Sequence, residues 1–236
     1  LLLQARKPDD GAKEDEHRSF ADRAGLPVEQ FLVHDLLAGP PSLDRALTCV
    51  AIMVGGSGDY YVSKQNLPYF DAHMQFFRQI VERGHPTFAS CFGFHLLAKA
   101  LGGEVIHDLD ATEVGTFDLT LTDAGSEDEL LCSLPRRFKA QLGHKDRAQQ
   151  LPSHCVNLAC SERVPFQAFR VRDKPIWATQ FHPELNMEEN RKRFRQYVEG
   201  YATYMSEAER EETLSRFAES PETDALIRKF IDLVFG

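Results

Sequence analysis

The sequence has no long apolar run, no Cys-x-x-Cys pair, no basic excess and a single tryptophan. Each absence excludes a class. No segment approaches the roughly 20 apolar residues of a membrane-spanning helix, so no membrane partner is expected. Lys and Arg number 27 against 36 Asp and Glu, a net charge of −9, which argues against a nucleic-acid surface. The short basic clusters Arg136-Arg137 and Arg191-Lys192-Arg193 have acidic neighbours and read as solvated faces. Cys49, Cys91, Cys132, Cys155 and Cys160 are odd in number and unpaired in spacing, which suggests a reducing, cytoplasmic setting. Leu1-Leu2-Leu3 runs at once into Gln4, Arg6 and Lys7, so no signal peptide is expected. A dinucleotide fingerprint fails because Tyr61 stands where the third glycine belongs, and no Walker A loop exists. His144, His154, Cys155 and Cys160 fit no common zinc spacing, so neither metal nor cofactor is expected.

What is present is an ordinary globular composition, 42% hydrophobic and 27% charged. Strand-like Leu1–Ala5, helical Glu14–Ala24, then strands at Phe31–His34 and Cys49–Val54 alternate along the chain. This order predicts an α/β fold: a doubly wound, mostly parallel sheet with helices on both faces. Cys49 is expected inside the third strand, as packing. Gly55-Gly56-Ser57-Gly58-Asp59 is expected as a loop closing that strand, either a plain turn or a cradle of backbone N–H groups. Asn66–Arg83 reads as a helix. From Glu104 to Val171 the apolar residues alternate, which predicts a small antiparallel section. Met187–Tyr204 is expected as one helix. We expect a main domain over residues 1–205 and a helical appendage over 206–236.

Two stretches carry chemistry. In the first, a short strand ends at Ser90, and a helix with Phe94, Leu97, Ala98 and Leu101 on one face follows almost without a loop. A strand that turns into a helix around Cys91 has the form of a nucleophile elbow, which holds the side chain out beside unpaired helix N–H groups. A packed core cysteine is the competing reading. In the second, an apolar strand, Ile176–Phe181, delivers His182 and, after Pro183, Glu184. A thiol nucleophile needs a base, and the base needs an orienting carboxylate. Cys91, His182 and Glu184 supply those three types in chain order.

The motifs Gly55–Asp59, Ala89–His95, Gly143–Asp146 and Thr179–Glu184 together resemble the class I, triad-type glutamine amidotransferases. Most similar are stand-alone proteins like the amidotransferase half of GMP synthase. The resemblance implies the flavodoxin-like fold of that family, with Cys91 as nucleophile, His182 as general acid and base, and Glu184 as its orienter. It also implies an oxyanion hole from the N–H groups of Gly56 and Phe92, and substrate contacts from Gly55, His95, Gly143, His144 and Asp146. The family motif G-x-C-x-G-x-Q stands here with Ala89 for its first glycine and His95 for its glutamine. The implied partners are glutamine or another γ-glutamyl substrate, and an ammonia-accepting synthetase subunit, since the chain has no ATP signature of its own. A γ-glutamyl peptidase acting alone, and a non-catalytic binding protein of the same fold, are the other readings.

Overall fold

Burial of apolar residues on two faces of one strand set dictates the layout. The computed structural model describes residues 1–203 and 205–235. Its elements in chain order are β1 (Leu2–Ala5), α1 (Ala12–Ala24), β2 (Val33–Asp35), α2 (Leu43–Leu47), β3 (Ile52–Ser57), α3 (Phe70–Arg83), β4 (Thr87–Ser90) and α4 (Phe92–Ala100). There follow β5 (Glu104–His107), β6 (Glu113–Leu121), α5 (Asp123–Glu127), β7 (Arg137–His144), β8 (Asp146–Gln150), β9 (Cys155–Cys160), β10 (Ala168–Val171) and β11 (Ile176–Thr179). The chain ends with α6 (Met187–Gln196), α7 (Val198–Ala202), α8 (Glu207–Ser215) and α9 (Leu226–Phe235).

The main sheet runs β2-β1-β3-β4-β11-β10-β9-β6-β7. The pairs from β2 to β11 are parallel and those from β11 to β7 antiparallel. The expected doubly wound α/β sheet with an antiparallel section is therefore what the chain forms, the antiparallel part making four of the eight strand pairs. β5 and β8 make a separate antiparallel pair. Ala89 on β4 pairs with both Val54 on β3 and Ala178 on β11. β4 is thus central, and all four of its residues, Thr87 and Ser90 included, are buried.

Two apolar clusters flank the sheet. One gathers α3 and α4 residues such as Phe77, Phe94 and Leu97 against Val54 and Ala89. The other holds Phe88, Trp177 and Phe181, together with Leu226, Ile227 and Phe230 of α9. The stretch expected as an appendage thus lays its last helix into this second cluster.

Three local expectations need correcting. Cys49 lies before the strand, not in it, because β3 begins at Ile52. The glycine stretch continues β3 through Ser57, which pairs with Ala5, instead of forming a loop. The helix expected from Met187 divides after Gln196 into α6 and α7, and its expected end at Tyr204 lies outside the described residues. Among the described residues, no helix is long and apolar enough to cross a membrane.

Candidate active site

Parallel pairing puts the carboxyl ends of β3, β4 and β11 on one sheet edge, where such folds bind ligands. Cys91 directly follows β4, and its N–H donates to the Thr179 carbonyl at the end of β11, 2.8 Å away. Cys91 has φ 50° and ψ −99°, a strained conformation for a residue with a side chain. The strain is held by close packing on its far side. A Cβ at Gly93 would lie 2.7 Å from Val54 Cβ and 2.9 Å from the Val54 carbonyl oxygen. Only glycine lets α4 approach β3 this closely.

His182 comes off β11 and is anchored by its N–H to the Gln141 carbonyl of β7, 2.9 Å away. Its Nδ1 lies 2.6 Å from Glu184 Oε1, and its ring also engages the Cys91 side chain. Burial works to remove the ring proton, but the charges of Glu184 and Cys91 prevail and hold the pKa up at about 9. Burial likewise opposes the Glu184 charge. His182 and then Arg193 overcome it, so this carboxyl sits below its ordinary range. Arg193 Nη1 lies 3.8 Å from Glu184 Oε1. α6 delivers Arg193 because a capping box, Asn186 with Glu189, fixes the helix start.

Cys91, Phe92, His95, Gly143, His144, Asp146, His182 and Gly56 all face one cavity of about 650 Å3. Several are already engaged with protein groups. The Gly56 N–H donates to Glu16 Oε2 over 3.1 Å, so the donor expected for an oxyanion is occupied by a carboxylate. That carboxylate also holds Arg6 at 2.6 Å, in a fully buried pair. A Cβ at Gly56 would lie 3.1 Å from His182 Cε1, so glycine here makes room for the imidazole. Gly55 does not line the cavity. Its Cα packs on Glu16, whose Cδ would be 2.5 Å from an added Cβ. Phe92 opens α4, where helix geometry leaves its N–H without an intrahelical acceptor.

His95 is tied on both sides. Its Nε2 lies 2.6 Å from the Gln180 side chain, and it also bonds the Asp146 backbone. Burial is the main cause that lowers its pKa, to about 4, so the ring is neutral at neutral pH. His144 lies between the Asp146 carbonyl at 2.9 Å and Glu113 Oε2 at 3.0 Å. The Asp146 carboxylate accepts from Ser63 N at 2.9 Å and Ser63 Oγ at 2.7 Å, and lies 2.9 Å from His107 Nδ1.

Sequence reasoning did not find Arg6, Glu16, Tyr61 or Lys64, and it named Lys145 only within the Gly143–Asp146 motif; Arg193, expected on a solvated face, instead lines the cavity with its side chain largely buried beside Glu184. Arg6 carried one usable signal: a charged residue directly after a buried strand, at the sheet edge that binds ligands. Among the described residues, no group of three or more His, Cys, Asp or Glu side chains is arranged to hold a metal.

The family model of class-I glutamine amidotransferases matches residues 48–197. A glutamine-hydrolyzing GMP synthase subunit of Methanothermobacter thermautotrophicus is 29% identical over 164 residues, 68% of this chain and 72% of that protein. The corresponding GMP synthase subunit of Methanocaldococcus jannaschii is 35% identical over 100 residues, 42% of this chain and 51% of that protein. A crystal structure of a glutamine amidotransferase from Thermotoga maritima superposes with a TM-score of 0.71 at 18% identity, covering 99% of this chain and 97% of the other.

Proposed function

The chain belongs to the class-I glutamine amidotransferase family, and from that premise we propose that it hydrolyses the side-chain amide of glutamine through a thioester on Cys91. The observation that carries this reading is the Cys91–His182–Glu184 contact at the end of two neighbouring parallel strands. Cys91 and His182 act as a thiolate–imidazolium pair. The sulfur attacks the amide carbon and the carbonyl oxygen takes up the negative charge. The imidazolium gives its proton to the departing nitrogen, which leaves as ammonia. A water then loses a proton to the neutral His182 and attacks the thioester. Glutamate leaves, and the ion pair is restored. Glu184 keeps the ring oriented throughout.

Phe92 N–H is the oxyanion donor available at once. Gly56 N–H joins it only when Glu16 releases it. One such donor contributes about 3 kcal/mol to the transition state in enzymes of this kind. The GMP synthase relatives, themselves named as subunits, support a second protein that accepts the ammonia, a synthetase. The cavity supports a second reading, a γ-glutamyl hydrolase acting alone, because about 650 Å3 exceeds what glutamine fills.

An electrophilic glutamine analogue, such as a diazo-ketone, is expected to label Cys91 once per chain. Cys91→Ser should lose at least about 1,000-fold in ammonia release while keeping its fold. Neither labelling nor ammonia and glutamate release in the native protein would overturn the proposal.

A further inference from the structure

The proposed reaction gives Arg193 no role, although its guanidinium lies beside Glu184. The side chain is 11% exposed and lines the cavity, and Nη1 stands 3.8 Å from Glu184 Oε1. That gap is too long for a hydrogen bond but short enough for a strong attraction between buried charges. Neither Arg193 Nη1 nor Glu184 Oε2 makes a hydrogen bond to another described residue. The carboxylate, itself fully buried, thus has His182 as its bonded side chain and Arg193 as its nearby cation.

Charge balance gives that cation a purpose. A thiolate on Cys91, an imidazolium on His182 and a carboxylate on Glu184 leave one negative charge in excess. An unbalanced charge in a buried place is costly, and protonating Glu184 would remove it. His182 would then lose the charge that holds its proton. Arg193 closes the balance without any group gaining a proton. Other charged groups around this corner are engaged elsewhere. Arg6 is held by Glu16 and Asp10, and Lys192 by Asp15. Glu189 serves the cap of α6 and Ser19, and the Tyr197 hydroxyl, which also feels the Arg193 charge, donates to Asp10.

The placement is fixed through the same residue that anchors His182. Asn190 stands one turn before Arg193 on α6. Its side-chain amide donates to Gln141 Oε1 over 3.1 Å and to the Leu142 carbonyl over 3.2 Å. The Gln141 carbonyl in turn accepts the His182 N–H. Gln196 donates to Asp10 over 2.8 Å and ties the end of α6 to the chain before α1. The arginine and the histidine are therefore registered on one residue of β7.

We propose that Arg193 is a positioning residue for Cys91, His182 and Glu184: its charge, set in place by α6, keeps the Glu184 carboxylate ionised against His182. This rests on the reading of Cys91 as the nucleophile of a hydrolase.

Alkylation of Cys91 by iodoacetamide over a range of pH reads the thiolate without turnover, and mass spectrometry separates it from the exposed Cys132. The rate falls on the acid side as the thiolate and Glu184 gain protons. Arg193→Gln should move that acid limb up by about one pH unit. Arg193→Met keeps the stem without the charge, repeats the shift and guards against misfolding of the polar variant. Arg193→Lys keeps a cation and should retain most of the native profile. In a Glu184→Gln background, Arg193→Gln should add no further shift, because the group it acts through is already uncharged. In ammonia release from glutamine, Arg193→Gln should lower kcat about tenfold and leave KM unchanged.

An acid limb that stays in place in Arg193→Gln and Arg193→Met overturns the proposal. An equal shift in Arg193→Lys also overturns it, since packing would then be the cause. So does a shift that survives in the Glu184→Gln background, or a raised KM at constant kcat, which would make Arg193 a substrate contact. Cys91 that takes no alkyl group at any pH overturns both readings. A native protein that releases no ammonia, but whose variants show the expected alkylation shifts, overturns the hydrolase reading alone and leaves the role of Arg193 standing.

Discussion

Glu184 holds a proton on His182, and that proton has a measurable pH signature. The folded ring, with its pKa at about 9, binds its proton more tightly than the usual 6.5. The stability this adds is complete below about 6.5 and is lost as pH rises through 9. Urea midpoints measured from pH 6 to 10 should fall over that window, and His182→Gln should flatten the slope. The Glu184 shift has the opposite sign. Its contribution is present above the ordinary carboxylate range and disappears as pH falls below it. Ammonia release should decline above about pH 9, because the departing nitrogen then finds no proton on the ring. A second residue-scale effect belongs to Arg6, whose guanidinium lies buried against Glu16, Asp10 and the Tyr197 hydroxyl. Glu16→Ala leaves that charge short of its main partner and should cost about 3–5 kcal/mol in urea unfolding.

At the scale of elements, the elbow depends on contact between α4 and β3. Gly93→Ala forces a methyl group into Val54. The expected loss is about 1–3 kcal/mol of stability, with a larger fall in the labelling rate of Cys91 as α4 tilts away. Val54→Ala added to Gly93→Ala should restore part of both, measured by urea unfolding and by labelling. The elbow was legible in sequence because strand, Cys91 and helix are contiguous, so local pattern suffices. His182 and Glu184 were legible for the same reason. The end of β3 was not, because pairing of Ser57 with Ala5, more than fifty residues away, decides that Gly55 and Gly56 stay extended. Glu16 was hidden in a charged helix, where nothing local distinguishes the one carboxylate that turns inward to Gly56. The same limit applies to His95. Sequence shows it one helical turn from Cys91 but not that Gln180 and Asp146 already occupy it.

For the whole molecule, stability rests on both clusters, and α9 contributes to one of them. Phe230 is fully buried, with ring centroids 5.6 Å from Phe88 and 6.0 Å from Trp177. Phe230→Ala should cost about 3–5 kcal/mol by denaturant unfolding. A chain ending at residue 205 exposes Phe88 and Trp177 on that face and should precipitate or lose its cooperative thermal transition. The position of β11 has one more consequence, in the order of synthesis. β11 is the last of these strands to be made, yet it lies between β4 and β10. A nascent chain that stops short of Ile176 must leave β4 as an open edge, with apolar side chains and unpaired backbone groups. Such a chain also lacks His182, the base that the proposed reaction assigns to Cys91. An incompletely translated copy is therefore sticky, and in the proposed reaction its thiol gains a base only after the final strand closes the middle of the sheet.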